Sequence, residues 1–311
     1  MHNITIKQLR YFHALAREQH FGRAAESCSV TQPALSMQIQ ELEGSLGMDL
    51  VERTRSGVKL TAKGEKIAER AQRILNDVKD LVDFAKQSAG VLSGTLRMGL
   101  IPSVAPYVLP PLLPLLKKKY ADLELHIRET LTETLLHELV EGKLDVLLLA
   151  LPVKHADIET LELFEDRFVL AVPETLNMSG RVKATPELVK QERLLLLEEG
   201  HCLRDQALDY CSLKHVDTIN TFGASSMSTI VEMVAAGLGI TLLPELCITM
   251  EERGRDIKLM RFVDPEPSRT IGLVWRQSSP RAEDYRALGK LVLAAGQDTI
   301  KRGVSRIGKV S

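Results

Sequence analysis

The sequence has no long apolar run. The longest conspicuous one, Val146 to Val153, spans eight residues, far short of the roughly 20 that a membrane-spanning helix needs. No secretory signal is expected either, because Lys7, Arg10, Arg17 and Glu18 interrupt the opening residues before an apolar stretch can build. A membrane partner and a secreted solute-binding role are therefore disfavoured, and the expected compartment is the cytoplasm. Net charge is nearly absent, at −1. Residues 1–90 carry 13 Lys and Arg against 11 Asp and Glu, too slight an excess to argue for nucleic acid. Cysteine is scarce, with four in 311 residues. Structural disulfides are rare in the cytosol, where cysteines more often bind metal, catalyse or sense redox state. No paired C-x-x-C occurs, and His201, Cys202, Cys211 and His215 are irregularly spaced for zinc. No metal and no cofactor are expected.

What is present divides in two. Thr5 with Gln8 fits a capping box ahead of Leu9, Phe12 and Leu15. A short helix fits Phe21 to Ser27. Thr31 is a good N-cap with Pro33 in the first turn, and Leu35, Ile39, Leu42 and Leu46 follow at helical spacing. The opposite face carries Gln32, Ser36, Met37 and Gln40. Leu50 to Leu60 fits a two-stranded wing turning near Ser56-Gly57. Such a winged helix-turn-helix puts the first residues of its later helix at base edges. Gln32, Ser36 and Gln40 can hydrogen-bond bases, while Pro33, Ala34 and Met37 suit thymine methyls. Arg53 and Arg55 suit phosphates or a narrow minor groove. A plain three-helix module with a solvated polar face remains the alternative. From Thr61, the residues Ile67, Ala71, Ile74, Val78, Leu81 and Ala85 alternate at spacings of 4 and 3, a seam that its copy in a second chain can cover.

From Leu96 the pattern changes to strands and helices in alternation. Strands fit 96–100, 123–128, 145–150, 168–172, 194–197, 240–243 and 270–275; helices fit 108–119, 133–141, 226–236 and 282–295. Near-continuous apolar strands predict a mostly parallel sheet covered on both faces, arranged as two lobes. Ligands in such folds sit at strand carboxyl ends or between lobes. Ser103 and Thr132 follow the first two strands, with helix N-capping as the alternative role for each.

The stretch from Glu198 to Cys211 holds two cysteines nine positions apart. A thiol attacks as the thiolate, which neighbouring cations favour. His201 and Arg204 are placed to supply that charge, and Asp205 to orient Arg204. Two ordinary core cysteines after a polar helix start remain the alternative. If 203–211 is helical, the two sulfurs lie roughly 13 Å apart along the axis at about 1.5 Å per residue, near opposite faces. A disulfide needs Cα atoms within about 7 Å, so joining them requires unwinding. Cys28 and Cys247 read as structural.

Ala24-Ala25, Thr31-Gln32-Pro33-Ala34-Leu35-Ser36, Leu42-Glu43, Leu46-Gly47, Val51-Glu52-Arg53-Thr54 and Gly237-Leu238-Gly239-Ile240-Thr241-Leu242-Leu243-Pro244 together resemble the LysR-type transcriptional regulators. The resemblance covers essentially the whole chain. It implies an α-rich winged helix-turn-helix and a long linker helix preceding an α/β two-lobed, periplasmic-binding-protein-like regulatory domain. The expected division is 1–60 for DNA binding, 61–92 for the dimerising helix and hinge, 93–299 for the regulatory domain and 300–311 for a tail. Lobe I takes 93–165 and 266–299, and lobe II takes 166–265. Many members carry Arg where this chain has Gln40, so base preference does not carry over.

Gly200-His201-Cys202-Leu203-Arg204-Asp205-Gln206-Ala207 with Cys211, Arg269 to Val274, and Gly99-Leu100-Ile101-Pro102 resemble the hydrogen-peroxide-sensing branch of that family. The resemblance implies that Cys202 is oxidised by peroxide and Cys211 resolves it. Ser103, Thr132, His201, Asp205 and Arg269 would form the peroxide pocket, with Arg204 a further source of positive charge. Ser103 stands where Thr is usual. The implied partners are promoter DNA, RNA polymerase, and a second copy through the linker helix, building to a homotetramer. The expected protein is a regulator and not an enzyme. A metabolite-sensing LysR-type regulator with an effector in the lobe cleft is the alternative.

Overall fold

The computed structural model describes residues 4–54, 57–86, 90–176, 183–210 and 224–307. Two compact units, 1–86 and 87–311, partition the chain.

In the first unit, α1 (Ile6–Glu18) starts with the expected capping box: Thr5 Oγ1 accepts from the Gln8 N–H, and Gln8 Oε1 accepts from the Thr5 N–H. α2 (Phe21–Ser27) is capped by His20, whose Nδ1 accepts from the Gly22 and Arg23 amides. α3 (Gln32–Leu46) buries Leu35, Ile39 and Leu42 against α1 and α2 and ends at Gly47, where φ is +66°. The wing pairs β1 (Val51–Thr54) with β2 (Gly57–Leu60). Glu43 fastens it to α3 by accepting from the Leu50 and Val51 amides. α4 (Ala62–Lys86) then starts with Thr61 Oγ1 accepting from the Gly64 amide. Its first half belongs to this unit's own core: Ala71 is buried there, and Ile67, Ala68 and Leu75 pack beside it. Beyond that point Ile74, Leu81 and Val82 are exposed. The expected seam thus divides, because its first turns already cover the winged helix. The helix counted as a separate segment from 61 is continuous with that fold.

The second unit holds β3 (Gly94–Leu100), α5 (Ala105–Lys119), β4 (Leu123–Glu129), α6 (Thr132–Val140), β5 (Val146–Leu151) and β6 (Ile158–Pro173). After these come α7 (Pro186–Gln191), α8 (Cys202–Tyr210), α9 (Met227–Ala235), β7 (Thr241–Pro244), α10 (Glu245–Glu251), β8 (Ile257–Arg261), β9 (Ser268–Arg276) and α11 (Ala282–Val304). The strand order is β4-β3-β5-β9-β6-β7, with β8 also on β6. Among the described residues the parallel ladders are those of β3 with β4 and β5, and the other ladders are antiparallel. The expectation of a mostly parallel sheet is therefore corrected. Strands buried on both faces read as continuous apolar runs whatever their direction, so the pattern carries no sense of it.

β6 ties the two lobes together. Its first part, Ile158 to Arg167, pairs with β9, and its second, Phe168 to Pro173, pairs with β7 and β8. One hydrophobic core runs through both. Residues 194–197 make only isolated bridges and no strand. α11 extends past 299 to Val304, since Gly303 packs without room to spare against Glu245 and Ile248; the expected tail from 300 begins as helix.

Candidate functional site

The lobes meet around Cys202. Gly200 precedes it with φ +91°, and a Cβ there would stand 2.9 Å from Leu131. Only glycine meets both demands at low cost. It brings His201 and Cys202 against the start of α6, so that Cys202 opens α8 and faces Thr132 across a small pocket. Ile101, Pro102, Ser103, Leu131 and Thr132 form one wall and Gly200, His201 and Cys202 the other. Thr132 Oγ1 is buried there with no hydrogen-bond partner among the described residues. Thr132 is the first residue of α6, after the N-cap Leu131, and Ser103 precedes the N-cap Val104 of α5. Neither hydroxyl serves as a helix cap, so both are available to the pocket.

Arg269 lies behind Ser103 and is fully buried. Its Nη1 donates to Ser103 Oγ at 2.8 Å and Nη2 to the Ser103 carbonyl at 3.0 Å. Its Nε donates to Asp166 Oδ2 at 2.9 Å. Asp166 and Arg269 are cross-strand partners on β6 and β9, and both side chains are inaccessible to solvent. Burial works against the guanidinium charge, but the Asp166 carboxylate, by its charge and its hydrogen bond, leads the groups that hold Arg269 above its ordinary pKa. It stays cationic. His201 behaves oppositely: burial pushes its pKa down, only partly opposed by Glu198. The imidazole is therefore neutral near pH 7 and supplies no charge to the thiol, which corrects its expected role as a cation. It remains able to donate one hydrogen bond and accept another.

Three expected members do not line the pocket: Arg269 stands behind Ser103, and Arg204 and Asp205 lie elsewhere. Arg204 Nη1 donates to the Leu197 carbonyl at 3.1 Å, on the far side of α8. Asp205 is exposed, one residue further round the first turn. Helical geometry accounts for Arg204, since a residue two past Cys202 points to the other side of the helix; Asp205, three past it, shares its face but extends into solvent. Cys211 lies outside the described residues. Within them Cys28, Cys202 and Cys247 are free thiols, with Cys202 partly accessible and Cys247 fully buried.

α8 itself is lightly held. Leu203 and Ala207 are buried, and Tyr210 packs edge-on against Phe262 at 5.2 Å. Beneath it, Leu196, Leu197, Leu203, Ala207, Met227 and Ile230 line a small gap. Gln206 Oε1 is buried with no partner among the described residues.

In the first unit, α3 exposes Thr31, Gln32, Pro33, Met37 and Gln40, with Ala34 and Ser36 half-buried beside them. Thr31 is the N-cap but makes no side-chain capping bond, leaving its hydroxyl on that surface. Arg53 lies on β1, and Arg55 lies outside the described residues.

Residues 6–65 match the bacterial regulatory helix-turn-helix family of lysR type, and residues 89–297 match the LysR substrate binding domain. This chain belongs to the LysR family of transcriptional regulators. Its relatives in that family include the DNA-binding transcriptional dual regulator OxyR of Escherichia coli K12, 41% identical over 94% of this chain and 95% of the relative. A probable hydrogen peroxide-inducible genes activator of Streptomyces viridosporus is 42% identical, with 94% and 95% covered. Among solved structures, a full-length cysteine-to-aspartate variant of OxyR from Pseudomonas aeruginosa superposes with TM-score 0.72 at 37% identity, covering 94% of this chain and 95% of that one. A hydrogen-peroxide-bound cysteine-to-serine variant of OxyR from Corynebacterium glutamicum gives 0.66 at 35%, with 97% of each covered. No helix among the described residues of this LysR-family chain is long and apolar enough to cross a membrane.

Asp166 escaped the sequence reading. Flanked by Glu165 and Arg167, it reads as one more solvated charge on a strand. The available signal was that it lies two residues before the apolar run from Phe168, where the strand enters the core.

Proposed function

We propose that this LysR-family regulator senses hydrogen peroxide through Cys202 and switches DNA binding by forming a disulfide with Cys211. The observation that carries the reading is the pocket between Cys202 and Thr132. It sets a thiol, the unpartnered Thr132 hydroxyl, the Ser103 hydroxyl held by Arg269 and a neutral imidazole around one small space. Short hydrogen-bonding groups gathered on a thiol suit the two oxygens of peroxide better than the alternative, a metabolite effector. Arg269, donating to the Ser103 hydroxyl oxygen, leaves that hydroxyl's proton to point into the pocket.

In this reaction the Cys202 thiolate attacks one peroxide oxygen. The O–O bond breaks, the sulfur becomes a sulfenic acid, and the leaving hydroxide takes a proton to become water. Ser103, Thr132 and His201 hold the two oxygens. The Cys211 thiol then attacks the sulfenic sulfur, releasing a second water as the disulfide forms. α8 separates the two positions while it remains helical, so closure requires its unwinding. The refolded segment alters how copies of the regulatory domain assemble, and with it the placement of the reading heads. α3 enters the major groove with Gln32, Ser36 and Gln40 at base edges, and the exposed half of α4, through Ile74, Leu81 and Val82, pairs with its copy.

Titrating the reduced protein with equimolar peroxide should remove two thiols per chain, and none beyond a sulfenic acid at Cys202 in Cys211→Ser. Cys202→Ser should not react. Unchanged thiols in the unsubstituted protein would sink the reading.

A further inference from the structure

Arg269 is aimed as well as charged. Its three nitrogens are each committed to Asp166 or Ser103, and Phe168 lies under the plane at 6.0 Å. Asp166 is itself held, because its second oxygen accepts from the Leu246 amide at 3.0 Å, in the first turns of α10. Burial raises the Asp166 pKa, opposed by the Arg269 charge and the Leu246 amide; because both carboxylate oxygens accept and neither has an acceptor to donate to, the contacts favour the ionised form. Burial raises the pKa of the neighbouring Cys247 well above its ordinary value, so that thiol is neutral. Among the described residues Asp166 is the one carboxylate hydrogen-bonded to Arg269.

A buried carboxylate beside that cation has two opposed effects on Cys202. It cancels part of the positive field at the sulfur, which disfavours the thiolate. It also fixes the guanidinium, and through it the Ser103 hydroxyl, in one direction. We propose that Asp166 is a positioning residue for the peroxide reaction: it aims Arg269 and Ser103 at the pocket while weakening the positive field that Arg269 exerts on the sulfur. The inference rests on the peroxide reading of Cys202. It separates two quantities that ordinarily move together, thiol acidity and peroxide rate.

The test uses the full-length reduced protein. Peroxide rate is followed as sulfenic acid formation at Cys202, and thiol acidity as the pH midpoint of Cys202 alkylation by iodoacetamide, both by mass spectrometry. In Asp166→Asn the peroxide rate should fall about a hundredfold, the loss expected when a reacting geometry shifts by about 1 Å, while the alkylation midpoint moves to lower pH. Asp166→Glu should recover the rate to within about tenfold. Arg269→Lys keeps the charge but not the fork, so its rate should fall with the midpoint unmoved. This variant carries the test should Asp166→Asn fail to fold. A wild-type rate in Asp166→Asn or in Arg269→Lys would overturn the proposal. So would a midpoint that rises in proportion to the lost rate, since thiolate fraction would then explain everything. If the unsubstituted protein itself ignores peroxide, the peroxide reading fails first.

Discussion

Leu203→Ala should accelerate disulfide closure and leave the peroxide step alone. Leu203 is 3% exposed and sits beneath α8 with Leu196, Leu197, Ala207 and Ile230. Buried Leu→Ala changes cost about 2–5 kcal/mol. A short helix can settle toward the space a truncated side chain leaves, which places this site toward the lower end, near about 2.5 kcal/mol. α8 has nine residues, below the roughly 12–15 that a helix needs to persist without packing. The loss therefore falls on the local opening of α8. At about 1.4 kcal/mol per factor of ten, the opened segment becomes about 60-fold more populated. If closure passes through it, the second step speeds up by as much as that, while sulfenic acid formation stays within about threefold. Rapid-quench alkylation with mass spectrometry separates the two steps. Leu112→Ala, equally buried but on α5, is the control: it should lower the melting temperature without touching closure. An unchanged closure rate in Leu203→Ala, with a lowered melting temperature, would show that α8 does not open on the path.

The remaining expectations are briefer. His201 has a depressed pKa in the folded protein, so the unfolded chain binds its proton first as pH falls below about 6.5; stability should be full above that value and decline toward pH 5, less steeply in His201→Gln, by thermal melts across pH. Leu81→Lys, on the exposed half of α4, should shift sedimentation toward a lower assembly state without changing the melting temperature by more than a few degrees. Arg53→Ala should weaken binding to every DNA sequence and reduce the salt slope by about one, whereas Gln32→Ala should relax base preference, both by fluorescence anisotropy at several salt concentrations.

The winged helix was legible because its signals are local. A capping box, a proline in a first turn and apolar residues at helical spacing each act within one or two turns. The pocket was half legible. Ser103, Thr132, His201 and Cys202 come from chain positions that a strand–helix fold brings to one edge, and the resemblance named the same residues. Asp166 was not legible, since its burial depends on β6 changing partners between Arg167 and Phe168. Nothing in the neighbouring sequence marks that event. The first half of β6 was missed for a related reason. Its alternation of apolar and charged residues, Ile158 to Glu165, looks like a surface segment until β9 lies beside it. Arg204 was misplaced by proximity in sequence: closeness to Cys202 along the chain became separation around a helix.

The position of Cys202 at the head of a nine-residue helix has a thermodynamic corollary. If the disulfide exists only with that helix undone, the fold of one short segment and the redox state of two sulfurs are a single variable. Coupling of this kind is reciprocal. Any DNA site that prefers the helical form tenfold must raise the midpoint potential of the thiol pair by about 30 mV, making it harder to oxidise, and a site preferring the disulfide form must lower it equally. Different promoters then hold the same protein at different thresholds, and the oxidant concentration at which a gene responds is written partly in its own operator.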